Sequence, residues 1–119
     1  MEFVAIDHVQ LAMPIGCEPA AEAFYVGVLG MTRVPKPPVM AVRGGCWFEC
    51  GRVKLHLGVE REFRAAKKAH PALVVRGFDE LLFRLKSAGV AITMSDEIAS
   101  TRRGHIEDPF GNRLELIAE

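Results

Sequence analysis

Four residues that carry chemistry stand at answering positions in this chain. His8 opens "HVQLAM" and His70 opens "HPALVV", while His56 lies in "VKLHLGV" and Glu115 in "NRLELIAE". Each of these stretches alternates in the manner of a half-buried strand. Glutamate is disfavoured in mid-strand, and a partly buried carboxylate needs a partner. Taken singly, each histidine reads as a hydrogen-bonded strand residue and Glu115 as a wet one. Taken together, neutral imidazoles and a carboxylate form a donor set that suits a divalent transition metal. Two or three histidines with one carboxylate also make up non-haem iron sites.

The elements that must position them repeat in order. "IDHVQLAMP" predicts a strand broken by Pro14 and Gly16, and "EPAAEAFYVGVLG" a helix stopped at Gly30. "VMAVRG", "CWFECG" and "VKLHLGV" read as three further strands. The last places Val53, Leu55, Leu57 and Val59 on one face, with Lys54, His56 and Gly58 on the other. In the second half "HPALVV" predicts a strand, "FDELLFRLKSAG" a helix and "VAITMSDEI" a strand. "RRGHIEDPFGNRLELIAE" reads as a hairpin, with Pro and Gly where a turn wants them. The charged "EREFRAAKKA" reads as a solvated connector, with a helix as one option. In register, His8 falls on His70 and His56 on Glu115. The expectation is one α+β domain over residues 1–119, built of two tandem β-α-β-β-β modules. Module one covers about 3–59, the connector about 60–69 and module two about 70–118. The sheets curve into a cup with the helices outside, and the four groups face its cleft.

Bulk properties narrow the function. A chain of 119 residues with 15 basic and 15 acidic side chains is neutral overall, which argues against a nucleic-acid partner. The apolar runs are too short for a bilayer span, and "MEFVAIDHV" lacks the layout of a secretory signal. Cys17, Cys46 and Cys50 read as three reduced thiols in a cytoplasmic protein.

The pattern "DHVQLAM…FYVGVLGM…VKLHLGVE…HPALVV…DPFGNRLELI" resembles the vicinal oxygen chelate superfamily over nearly the whole chain. That superfamily includes glyoxalase I, fosfomycin-resistance thiol transferases, bleomycin-binding proteins, methylmalonyl-CoA epimerase and extradiol dioxygenases. The resemblance implies a metal-lined cup of paired modules and a homodimer, often with sites shared between subunits. It matches His8, His70 and Glu115 to the family's metal ligands. His56 stands where glyoxalase I has Glu and the epimerase has Gln, a departure from these patterns. The implied cofactor is a divalent ion (Ni, Co, Zn, Mn or Fe), with Glu115 a ligand first and a catalytic base second.

The activity expected from the four-group set is glyoxalase I-like lyase/isomerase chemistry on an oxygen-rich small molecule, through a metal-stabilised enolate-type intermediate. The alternatives are an iron ring-cleaving dioxygenase and a non-catalytic drug-binding protein of the bleomycin-resistance kind. Gln10, Arg43, Trp47, Arg103 and His105 are candidate substrate contacts, each with a plain structural reading beside it.

Overall fold

A strand and the strand parallel to it cannot be joined by a tight turn, so each module spends a helix on the crossover. The computed structural model describes all 119 residues. Module one contains β1 (Val9–Met13), α1 (Glu18–Glu22), β2 (Thr32–Val34), α2 (Pro38–Ala41), β3 (Cys46–Cys50) and β4 (Val53–Val59). Module two contains β5 (Ala72–Val75), α3 (Phe78–Ser87), β6 (Thr93–Ser95), β7 (Arg103–Glu107) and β8 (Arg113–Ala118). The sheets have the same order, β1-β4-β3-β2 and β5-β8-β7-β6. First and last strands pair parallel and the remaining pairs are antiparallel. The chain is thus an α+β fold of two β-α-β-β-β modules.

The helices form where the apolar spacing places them. After α1 the chain continues as a π-helical stretch, Ala23–Val28, that buries Phe24 and Tyr25. In α3, Phe78, Leu81 and Leu85 point inward, while Asp79 and Glu80 in the first turn and Arg84 and Lys86 in the last complement the helix dipole. Leu11, Met13, Phe48, Leu55, Leu57, Ile106, Leu114 and Leu116 join these residues in one buried cluster. Full burial of each such side chain is worth about 1.5–3 kcal/mol. Tyr25 stacks on Phe48 with ring centroids 5.2 Å apart, fixing the first helix to its sheet.

Three local expectations are corrected. "VMAVRG" is not a strand: Pro38 sits in the first turn of the short helix α2, where its fixed φ and missing N–H do no harm. The sheet takes its edge strand from Thr32–Val34 instead. The strand in "VAITMSDEI" shrinks to Thr93–Ser95. The connector forms no helix and crosses the surface as turns and irregular chain.

The modules are tied through the closing turn. Asp108, buried in the "DPFGN" segment, accepts a hydrogen bond from Tyr25 Oη of module one at 2.8 Å. Asn112 Nδ2 donates to the Ala12 carbonyl at 2.8 Å and to Asp108 at 2.9 Å. Gly111 between them has φ +87°, a conformation open to glycine. Arg84 adds a bond from Nε to the Val28 carbonyl at 2.8 Å. The radius of gyration is 14.7 Å, against about 13.5 Å for a compact chain of this length. The molecule is open, 46 × 43 × 25 Å.

Candidate functional site

The strand register shows how closely the halves correspond. In module one Gln10 pairs with His56 across the parallel ladder, and His56 pairs with Trp47 on its other side. In module two Ala72 pairs with Glu115, and Glu115 with His105. His8 lies two residues before Gln10, and His70 two before Ala72. The matches are therefore His8 with His70, His56 with Glu115, and Trp47 with His105. Alternation along each strand puts each set on one face of its sheet.

The chain gathers these groups into two clusters. In the first, the His56 ring is sandwiched: His8 stacks on it at 4.1 Å and Trp47 at 4.1 Å, the latter nearly parallel at 4°. This stack explains why His56 is only 6% exposed on a face otherwise open to a cavity. The cavity, about 360 Å³, is lined by Gln10, Lys36, Arg43 and Trp47 together with His8 and His56. His8 Nδ1 lies 2.9 Å from Asp7 Oδ2, which leaves Nε2 as its outward nitrogen. Burial pushes the His56 imidazole below its ordinary pKa, with the neighbouring His8 acting the same way. His56 therefore stays neutral, the ligating form, at pH 7.

The second cluster surrounds Glu115, whose side chain is 11% exposed. Glu115 Oε1 accepts a hydrogen bond from Arg103 Nη1 and lies 3.5 Å from His105 Nε2. Oε2 faces the other way, 3.9 Å from His70 Nε2. The His70 and His105 rings meet edge to face at 5.5 Å. Donor atoms of His70, His105 and Glu115 all lie within 4.8 Å of one another. Burial lowers the His105 pKa first, with Arg113 next in effect, so this imidazole is also neutral near pH 7.

Gln10 stands between the clusters. It lines the cavity of His8 and His56, and also a groove of about 540 Å³ between β1 and β5 that contains His70. Of the candidate substrate contacts, Gln10, Arg43 and Trp47 belong to the first cluster, and Arg103 and His105 to the second. The types and sequence positions of Arg103 and His105 suggest a place near the cleft, and in the structure both touch Glu115. The turn carried that signal: His105 and Glu115 are equidistant from Phe110, so a tight hairpin sets them opposite each other.

Residues 5–116 match the Glyoxalase/Bleomycin resistance protein/Dioxygenase superfamily, and the chain belongs to it. A glyoxalase family protein from Bacillus anthracis superposes with a TM-score of 0.96 at 43% identity, covering 100% of this chain and 98% of that one. The fosfomycin resistance protein FosX from Listeria monocytogenes shares the fold at TM-score 0.77 and 15% identity, over 99% and 95% of the two chains. Lactoylglutathione lyase from Agrobacterium tumefaciens does so at 0.66 and 24%, over 96% and 92%. No curated protein matches the chain. No helix is long and apolar enough to cross a membrane.

The donor chemistry fits a divalent metal of the kind this superfamily typically uses. Imidazole nitrogens held neutral and a carboxylate oxygen left unpaired are what Ni, Co, Zn, Mn or Fe would require.

Proposed function

We propose that this chain is a small divalent-metal-dependent enzyme with glyoxalase I-type lyase/isomerase chemistry on an oxygen-rich small molecule. The observation that carries the reading is the matched register. His8 and His56 in one module, and His70 and Glu115 in the other, occupy equivalent positions on equivalent strands. His70 and Glu115 converge within one chain and would hold the ion, with His8 and His56 completing the set where the two clusters are brought together, as in a site shared between subunits. The ion would supply Lewis acidity to oxyanion charge developing on the substrate.

The chain's own groups then divide the work. Arg103 anchors Glu115 Oε1 and leaves Oε2 turned toward His70. Oε2 would be a ligand first and a proton acceptor second. Gln10, Arg43 and Trp47 wall the adjoining cavity and orient the substrate. A homodimer is part of the proposal. Phe3, Val4 and Ile6 stand exposed on the N-terminal arm, as do Val74 and Phe83, which gives a partner subunit apolar surface to cover.

An iron-dependent ring-cleaving dioxygenase is the second reading, favoured by the histidine–carboxylate set around Glu115. The test is protein purified without chelator or histidine tag, analysed for metal, then reconstituted with Ni, Co, Zn, Mn or Fe. The expected result is metal-dependent isomerisation of a hemithioacetal formed from a 2-oxoaldehyde and a thiol. Oxygen uptake on catechols with iron alone would select the second reading. Tight bleomycin binding with no bound metal would replace both with drug sequestration.

A further inference from the structure

We infer that His105 is a metal ligand, so that module two alone presents a complete three-donor site of His70, His105 and Glu115. The inference rests on the metal-dependent reading above and adds to its ligand set a residue that the matched halves do not supply. At the position equivalent to His105, module one has Trp47, which has no lone pair to offer a cation. The halves are therefore unequal: one is an aromatic stack and the other a convergent donor group.

Three observations support it. The first is distance. All three donors lie within 4.8 Å of one another, and donors on a four-coordinate ion with bonds of about 2.0–2.1 Å stand about 3.4 Å apart. Small side-chain adjustments would close that difference. The second is tautomer. His70 Nδ1 lies 2.8 Å from the Lys68 carbonyl. A carbonyl only accepts, so Nδ1 carries the proton and Nε2 keeps its lone pair toward Glu115. A backbone carbonyl fixing the far nitrogen is the usual support of a ligating histidine. The third is charge. Arg103 engages only Oε1, leaving Oε2 open, and its Nη2 has a second carboxylate, Glu97, at 3.4 Å. An incoming cation would therefore not leave the guanidinium without an anionic partner.

The experiment titrates Co²⁺ into full-length protein, reading stoichiometry by calorimetry and coordination by visible absorption. The His8→Ala/His56→Ala double variant should still take up one Co²⁺ per chain, with an affinity independent of protein concentration. Adding His105→Ala should lower that affinity about 100-fold or abolish uptake. Circular dichroism confirms folding of each variant. As a second measurement, His105→Gln in the otherwise unaltered chain should change the Co²⁺ spectrum. The inference is overturned if the triple variant binds as tightly as the double, or if His105→Gln leaves the spectrum unchanged. It is also overturned, with the metal-dependent reading intact, if the unaltered chain binds Co²⁺ and the double variant does not. Should the unaltered chain bind no Co²⁺, Zn²⁺, Ni²⁺, Mn²⁺ or Fe²⁺, the metal-dependent reading falls as well.

Discussion

Asp108→Ala is expected to destabilise the protein by about 3–5 kcal/mol through the donors it orphans, a large share of the roughly 5–15 kcal/mol that holds a domain together. Asp108 is 5% exposed and accepts four hydrogen bonds. They come from Tyr25 Oη at 2.8 Å, Phe110 N at 2.9 Å, Asn112 N at 2.8 Å and Asn112 Nδ2 at 2.9 Å. Removing the carboxylate strands the buried Tyr25 hydroxyl and loosens the turn, and each orphaned donor costs about 1–3 kcal/mol. Asn112, fully buried, would also lose the partner that orients its bond to module one. Tyr25→Phe removes one bond and strands no hydroxyl, so it should cost only about 1–2 kcal/mol. Urea unfolding midpoints distinguish the two, and equal losses would contradict the network's central role.

The same network gives a pH dependence with a definite sign. Desolvation, and then Asp108, raise the Tyr25 pKa well above its ordinary value. A group whose folded pKa is raised contributes stability that is intact below its unfolded pKa, about 10 for tyrosine. That contribution is lost as pH climbs through the folded value. Unfolding midpoints measured above pH 10 should therefore fall more steeply in the unaltered chain than in Tyr25→Phe.

Glu115→Gln should lower metal affinity about 100-fold or more, while keeping the side chain's size. The amide has no anionic oxygen for a cation, and it also deprives Arg103 of its closest anionic partner. Arg103 is 16% exposed on its side chain, so a second effect on stability follows, about 1–3 kcal/mol. The two effects separate in the double variant Glu115→Gln/Arg103→Gln. Stability should recover in part, because the half-buried guanidinium left with only the more distant Glu97 is gone, whereas metal affinity should not. Equilibrium dialysis with elemental analysis measures the affinity and thermal unfolding the stability. Full metal occupancy in Glu115→Gln would remove this residue from the ligand set.

Much of this architecture could be read in the sequence, because alternation and turn chemistry are local. "NRLELI" announced that Glu115 turns away from the leucines, and burial of Leu114 and Leu116 follows that pattern. The equivalence of His8 with His70 came from aligning the halves, and the ladder pairings have the same offset. Less legible were features set by context. Pro38 could have broken a strand or opened a helix, and only the pairing of Thr32–Val34 with β3 decides between them. The sandwich of His56 between His8 and Trp47 depends on side-chain rotamers. So does the split of Glu115's two oxygens between Arg103 and His70. The buried union of Tyr25 with Asp108 joins residues 83 positions apart, beyond the reach of any periodicity.

The chain has one tryptophan, Trp47, and its indole lies flat on His56. Protonated imidazole quenches indole emission through contact, whereas neutral imidazole does so far less. The protein thus contains an intrinsic optical gauge of the first cluster, needing no label. Because the His56 pKa is depressed, that gauge should stay bright through neutrality and dim only in acid below the usual histidine range. Any ligand that parts the two rings, or any cation that claims the imidazole, would register as a change in emission.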